Sequence, residues 1–290
     1  MNAYEIITAR ILEQLEQGTV PWQKPWNAQA GIPQNLLSQK KYRGINVWML
    51  ASAGYASPYW LTFKQAKDIG GNVKKGEQGY PVVFWHWLDK REQEGEEETT
   101  HATQHRVPLA RLYTVFNVQQ CELPDRLQRL LKNDHVGETN TSKHIDTCEQ
   151  IVTAMPCCPM IQHREARAYY RPFTDTVNMP ARHLFPRTEH YYSVLFHELT
   201  HSTGHMSRLD RPTLKDMLAF GDTNYSKEEL VAEMGAAYLC GVAGIGNETV
   251  GNSAAYIQGW LGKLRNDKKL LIQSAAQAQR AADYILGQTK

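Results

Sequence analysis

His197-Glu198-Leu199-Thr200-His201 sets two imidazoles and a carboxylate at a spacing that can hold a metal ion and use it. On an α-helix, residues four apart share a face, so both histidines can aim at one ion while Glu198 lies beside it as a general base. Zinc hydrolases use this arrangement. Water acidified by such an ion, to a pKa near ~7, can give its proton to Glu198, which can return it to a leaving amine as a peptide bond breaks. Zinc is the expected cofactor, with manganese as the alternative.

A catalytic zinc needs a third protein ligand and an open fourth position. A third histidine six residues after the second is excluded, because position 207 is Ser207 although Gly204 fits that pattern. His205 follows Gly204, where the helix is expected to stop, and is a cleft residue rather than a ligand. The better third ligand is an acid on a second helix over 226–239, where Ser226 and Glu229 form a capping-box pattern ahead of an apolar run. Glu229 and Glu233 share a face with Ala232, Ala236 and Ala237, and small residues there allow two helices to approach closely. Glu229 is therefore assigned as ligand and Glu233 as acceptor for a ligand-histidine N–H, with the swap of those roles as the alternative. On the plainer reading Glu229 only serves the capping box and Glu228 is solvated; if Glu229 is not the ligand, the role passes to Glu233, Glu228 or Asp222. Donors for a developing oxyanion are sought among His205, Tyr225 and Arg208.

The elements that must position these groups are legible in outline. Thr188 is a candidate N-cap for the metal helix, with Glu189 in its first turn. Residues 168–180 read as a strand, a turn and a second strand ended by Pro180, and the half-polar run Asp175 to Met179 suits a sheet edge able to pair with an extended peptide. Residues 254–286 read as two helices, one with Ile257, Trp260, Leu261 and Leu264 on a face.

The amino-terminal half has a different character. Ile7, Ile11, Leu12 and Leu15 mark an amphipathic first helix closed by Gly18 and Pro21. Residues 60–69 read as a helix, and 80–88 with 107–118 as partner strands around an acidic loop at 91–98. Residues 126–151 lack strong periodicity. Six of the seven Trp precede position 88, and residues 1–88 carry nine Lys plus Arg against five Asp plus Glu. Rings interleaved with modest positive charge suit stacked bases flanked by phosphates. Lys40, Lys41, Tyr42 and Arg43 form the densest cluster, Lys74 and Lys75 occupy a Gly-flanked turn, and Trp22 and Trp26 are stacking candidates.

Three carboxy-terminal segments, 176–180, 191–205 and 228–237, together resemble the zincin-like metallopeptidase domain of ArdC-type antirestriction proteins. Pro21-Trp22-Gln23-Lys24-Pro25-Trp26, Tyr42-Arg43-Gly44-Ile45-Asn46, Trp60-Leu61-Thr62-Phe63-Lys64-Gln65-Ala66 and the stretch 70–77 resemble the single-stranded-DNA-binding domain that precedes the peptidase in that family. The resemblance covers nearly the whole chain apart from about 89–105 and 132–144. It implies a plasmid-encoded protein that helps incoming DNA escape host restriction during conjugation, with single-stranded DNA and a protein substrate as partners.

Composition sets the remaining bounds. A chain of 290 residues, 42% hydrophobic, can bury two ordinary cores. The expected fold class is α+β in two domains: an amino-terminal α+β DNA-binding domain over 1–130, a linker region over 131–150, and a mostly helical zincin-like domain with a small sheet over 151–290. A net charge of +2 gives the whole protein no strong electrostatic attraction to any partner. Five Cys, none in a Cys-x-x-Cys pair, argue for reduced thiols, and the first helix is too polar for a secretory signal, so a soluble cytoplasmic protein is expected. Two functions are compatible with these readings. One is a DNA-directed metallopeptidase; the other is a non-catalytic protein that coats single-stranded DNA and whose metal site is structural or vestigial.

Overall fold

The computed structural model describes residues 2–22, 31–90, 105–133, 141–215, 223–247 and 254–288. Among these, the chain forms α1 (Ala3–Glu16), β1 (Gln34–Asn35), α2 (Ile45–Ala51), β2 (Tyr59–Thr62), α3 (Phe63–Asp68), β3 (Asn72–Val73), β4 (Tyr80–Lys90), β5 (His105–Asn117), β6 (Cys121–Glu122) and α4 (Asp125–Asn133). It continues through α5 (Thr141–Ala154), β7 (Met160–Gln162), β8 (Tyr169–Arg171), β9 (Thr176–Asn178), α6 (Thr188–Ser202), α7 (Pro212–Lys215), α8 (Thr223–Ala243), α9 (Ala254–Asn266) and α10 (Leu270–Ile285). The fold is α+β, with small sheets set among helices, and no helix among the described residues is long and apolar enough to cross a membrane.

Helix α1 opens on a capping box in which Asn2 accepts from the Glu5 N–H and Glu5 accepts from the Asn2 N–H. Its stripe of Ile7, Ile11 and Leu15 is buried, and Gly18, at φ +78°, supplies the left-handed turn beyond its end. The first sheet has the order β1-β2-β5-β4, with β4 and β5 antiparallel in register from Tyr80 opposite Val115 to Lys90 opposite His105. That hairpin matches the expected partner strands; the acidic stretch 91–98 lies outside the described residues. The expected helix over 60–69 begins later. Trp60, Leu61 and Thr62 pair with β5, and the Thr62 hydroxyl then accepts from the Gln65 N–H and starts α3 at Phe63.

A two-stranded sheet pairs β3 with β6, and in the three-stranded sheet the order is β7-β9-β8, which corrects the edge assignment for Asp175 to Met179. β9 is central and fully buried, parallel to β7 and antiparallel to β8. Pro180 ends the run only after the last paired residue, Asn178, so it costs the ladder no hydrogen bond. Edges that could accept a further strand are therefore β7 and β8. Helix α6 packs against β8 and β9.

One hydrophobic core runs through both halves, from Ile7, Trp48 and Trp60 to Phe196, Leu230 and Ile285, while Leu61, Val73, Cys121 and Leu123 form a small second cluster. Helix α1 packs on α9, the Thr8 hydroxyl donates to the Lys268 carbonyl at 3.0 Å, and Glu16 meets Arg265 at 2.6 Å. Where a connecting region is expected over 131–150, most of α5 forms instead. Its Cys148 and, just beyond, Ile151 are buried in the common core, so this part of the chain is not free linker.

Candidate metal centre

Two helices build the centre. α6 carries His197, Glu198 and His201, and α8 carries Glu229. α8 begins at Thr223, upstream of the expected start, so Ser226 sits inside the helix and Glu229 is not an N-terminal capping residue. Close approach of the helices is made possible by Gly235: a Cβ there would lie 2.5 Å from Thr200 Cγ2. α6 likewise starts one residue early, with Arg187 as N-cap and Thr188 already helical.

Among the described residues, His197, His201 and Glu229 are the side chains whose ligand atoms converge, all within 4.8 Å of one another. The two Nε2 atoms are 3.1 Å apart, His197 Nε2 is 3.6 Å from Glu229 Oε2, and His201 Nε2 is 3.5 Å from Glu229 Oε1. Ligands roughly 2.0–2.1 Å from a tetrahedral ion are separated by about 3.3–3.4 Å, so the spacing fits a small divalent cation. His201 is buried, whereas the His197 and Glu229 side chains are 16% and 24% exposed. One side of the triad thus faces outward, as a site that admits substrate requires.

The electrostatics fit a cation as well. Burial by itself would lower the pKa of His201, yet Glu228 and Glu229 raise it to about 10. Burial opposes ionisation of Glu229, but the two histidines hold it well below the usual carboxylate range. The Glu198 carboxylate, only 8% exposed, adds to the negative field on His201. A cluster of anions that favours positive charge this strongly suits a divalent ion.

Behind His201 lies Glu228, which is neither solvated nor a member of the converging triad. Glu228 is fully buried, and its Oε1 stands 3.5 Å from His201 Nδ1, an ion-pair approach that leaves this buried nitrogen without a hydrogen bond. Both of its oxygens are taken by the Arg211 fork, with Nε donating to Oε2 at 3.1 Å, and the Thr213 hydroxyl also donates at 2.6 Å. Burial works against its charge, while His201 and Arg211 hold its pKa at about 2. Arg211 further donates to the Thr200 carbonyl at 2.8 Å and so caps the end of α6. Gly204 makes room for this: a Cβ would meet Arg211 Nη2 at 3.0 Å. The Glu228-Glu229 adjacency held a signal, since neighbouring helical residues point about 100° apart, one into the cleft and one beside it.

Glu233 also departs from its expected role. Its Oε2 accepts from the Trp22 indole N–H at 2.8 Å and from the Tyr256 hydroxyl, rather than from a ligand histidine. Trp22 is therefore a core residue, 0% exposed, and not a stacking platform. Arg208 is no free oxyanion donor, because its guanidinium binds both oxygens of Asp175 at 2.8 Å, the Ser202 carbonyl at 3.0 Å and the Cys157 carbonyl at 2.9 Å. His205 pairs with Ser207 at 2.7 Å and lies outside the triad. Tyr225 belongs to α8, but its side chain lies outside the described residues, as does Trp26.

On the amino-terminal half, Lys40, Lys41 and Tyr42 line a cleft of about 420 Å³. Tyr42 is itself buried, and the rings it presents there are ones the sequence reading missed: Phe84 and Tyr113, 44% and 40% exposed, with centroids 5.6 Å apart. Phe84 and Tyr113 sit on β4 and β5, where hydrophobic alternation alone suggests a buried face. Lys74, whose Nζ donates to the Gln119 carbonyl at 2.9 Å, and the exposed Lys75 do not line this cleft.

Comparison with known proteins agrees with this architecture. Residues 1–116 match the N-terminal domain of anti-restriction factor ArdC, and residues 146–277 match a zincin-like metallopeptidase. A DNA primase TraC of Escherichia coli is 35% identical over 298 residues, which is 98% of this chain but 27% of the relative. The chain thus spans about a quarter of that relative's length. The uncharacterized protein y4eC of Sinorhizobium fredii (strain NBRC 101917 / NGR234) is 33% identical, with 99% of this chain and 92% of the relative covered. The crystal structure of the antirestriction ArdC protein from plasmid R388 in metal-free form has a TM-score of 0.74 at 36% identity, covering 98% and 97% of the two chains. The Mn(II)-bound structure of that protein gives 0.75 at 35% identity and the same coverage. With both halves matched and the ArdC fold followed along nearly its whole length, the chain belongs to the ArdC family of antirestriction proteins.

Proposed function

We propose that this chain is a metal-dependent peptidase directed to single-stranded DNA, acting in the cytoplasm to protect incoming conjugative plasmid DNA. The observation that carries the reading is the convergence of His197, His201 and Glu229 on one partly open face, with Glu198 next to His197 on the same helix. Those three side chains would hold the ion, zinc by the chemistry of the donors, with manganese as the alternative. When bound, the ion supplies Lewis acidity toward a peptide carbonyl and makes water a stronger acid. Glu198 takes the proton of the attacking water on its carboxylate and delivers it to the departing amine. A purely structural site normally uses four protein ligands and needs no such base, which supports catalysis over a structural centre. Half-exposed rings beside Lys40 and Lys41 support single-stranded DNA as the partner. The protein substrate is one held near that DNA, with a component of host restriction as the candidate.

The test is Glu198→Gln. It should keep its metal, measured on purified protein, while losing protection of transferred DNA against a restricting host. Full protection by the metal-loaded variant would sink the peptidase reading and favour protection by DNA coating.

A further inference from the structure

We propose that the single-stranded nucleic-acid track does not end on the amino-terminal half but continues over Trp85 into a second cleft walled by α10, where Arg280 and Arg43 take the phosphates. This rests on the single-strand reading given above. The second cleft, of about 240 Å³, is lined by Arg43, Asn46, Trp85, Gln279 and Arg280 among others. Trp85 on the edge strand β4, 38% exposed, lines both clefts, so the two spaces meet at that residue, where the strand turns the Phe84 ring to one face and the Trp85 ring to the other.

The wall is fixed in place by contacts between the two halves. Gln279 on α10 accepts from the Gly44 N–H at 3.0 Å and donates to Asp283 at 3.0 Å, and Asp283 in turn holds Arg43. The Arg43 side chain remains 61% exposed although it is paired, and Arg280 is exposed on the same helix. Lys40 and Lys41 border the first cleft together with the rings of Phe84 and Tyr113, and Arg43 and Arg280 border the second together with Trp85. Cations beside exposed rings in each cleft complement a polyanion whose bases are free to stack. A duplex would keep its base faces to itself, which selects the single strand.

The chemistry makes two demands on the site. A phosphate contact at Arg280 must contribute to the salt dependence of binding, by about 0.7 in the slope of log K against log salt for a single strand. A stacking contact at Trp85 must be costly to truncate, since one base on one ring is worth about 1–3 kcal/mol, or roughly 5–150-fold.

The experiment is fluorescence anisotropy of the full chain with a labelled oligothymidylate across a salt series. Arg280→Gln should weaken binding about 3–10-fold and flatten the salt slope by about 0.7, Arg280→Lys should restore most of both, and Trp85→Ala should weaken binding at least about 5-fold. Arg10→Gln, a surface change on α1, serves as the control, and circular dichroism verifies folding of each variant. If the unaltered chain binds but Arg280→Gln behaves like Arg10→Gln, the track stops at the first cleft and the proposal is overturned while the single-strand reading stands. If the unaltered chain fails to bind at low salt, that reading falls and the proposal with it.

Discussion

The indole N–H of Trp22 donates to Glu233 Oε2 at 2.8 Å, across 211 positions of sequence. Glu233 lies one helical turn beyond Glu229 on α8. The Trp22 carbonyl accepts from Asn247 at 2.9 Å, and Asn247 accepts from Ser193 at 3.3 Å, one turn before His197 on α6. A segment of the amino-terminal half therefore grips both helices that carry His197, His201 and Glu229.

Trp22→Phe keeps a ring against Trp260 but removes the N–H, leaving buried Glu233 with the Tyr256 hydroxyl. Loss of that bond should destabilise the chelated protein by about 1–3 kcal/mol. Urea unfolding should show a lower midpoint with an unchanged slope. An unaltered midpoint would show that the bond holds nothing in place.

Gly235→Ala puts a methyl where Thr200 Cγ2 lies 2.5 Å from the ideal Cβ, against the turn of α6 between His197 and His201. Overpacking of this kind costs about 1–3 kcal/mol. Moving α8 outward also separates Glu229 from the histidines, so metal affinity should fall together with the melting temperature. A competition titration against a chromophoric chelator reads the first and calorimetry the second.

Glu228→Gln leaves the Arg211 guanidinium buried without its counter-charge and removes the anion facing His201 Nδ1. Breaking one side of a buried pair costs about 3–5 kcal/mol, and loss of a carboxylate behind a ligand histidine lowers metal affinity about 10–100-fold. A variant that is destabilised yet binds metal as before would confine Glu228 to a structural role.

Asp175 gives the pH dependence. Burial disfavours its charge, but Arg208 and Tyr170 outweigh that and hold its pKa below the ordinary 3.8. A carboxyl whose native pKa is depressed stabilises the fold above its unfolded pKa, and that contribution vanishes as pH falls through the native value. Asp175→Asn, which tolerates the same left-handed φ of +47°, should melt lower near pH 7 but lose less stability than the parent between about pH 5 and 3. Parallel pH profiles for the two proteins would contradict this.

Local patterns in the sequence carried far. The four-residue spacing put His197 and His201 on one face, and a second helix with small residues and an inward acid supplied Glu229, because helical periodicity is a property of neighbouring residues. The hairpin of β4 and β5 was legible for the same reason, as strand alternation is local. Periodicity did not separate Glu228 from Glu233. Both lie on buried parts of α8, and their hydrogen-bond partners, Arg211 on one side and Trp22 with Tyr256 on the other, come from distant chain.

By itself the sequence determined the spacing that brings His197 and His201 together, the acid Glu229 that joins them, the α+β class and the resemblance to the ArdC family. Only the tertiary structure decided which side chains are covered. It buried Trp22 against the metal helix and left Phe84, Trp85 and Tyr113 half-exposed on the hairpin. It placed β9 at the centre of its sheet rather than at the edge. The physical reason is the same in each case: a pattern of residues fixes which side chains share a face, whereas burial, pairing and the field at an ionisable group depend on what the rest of the chain lays against that face.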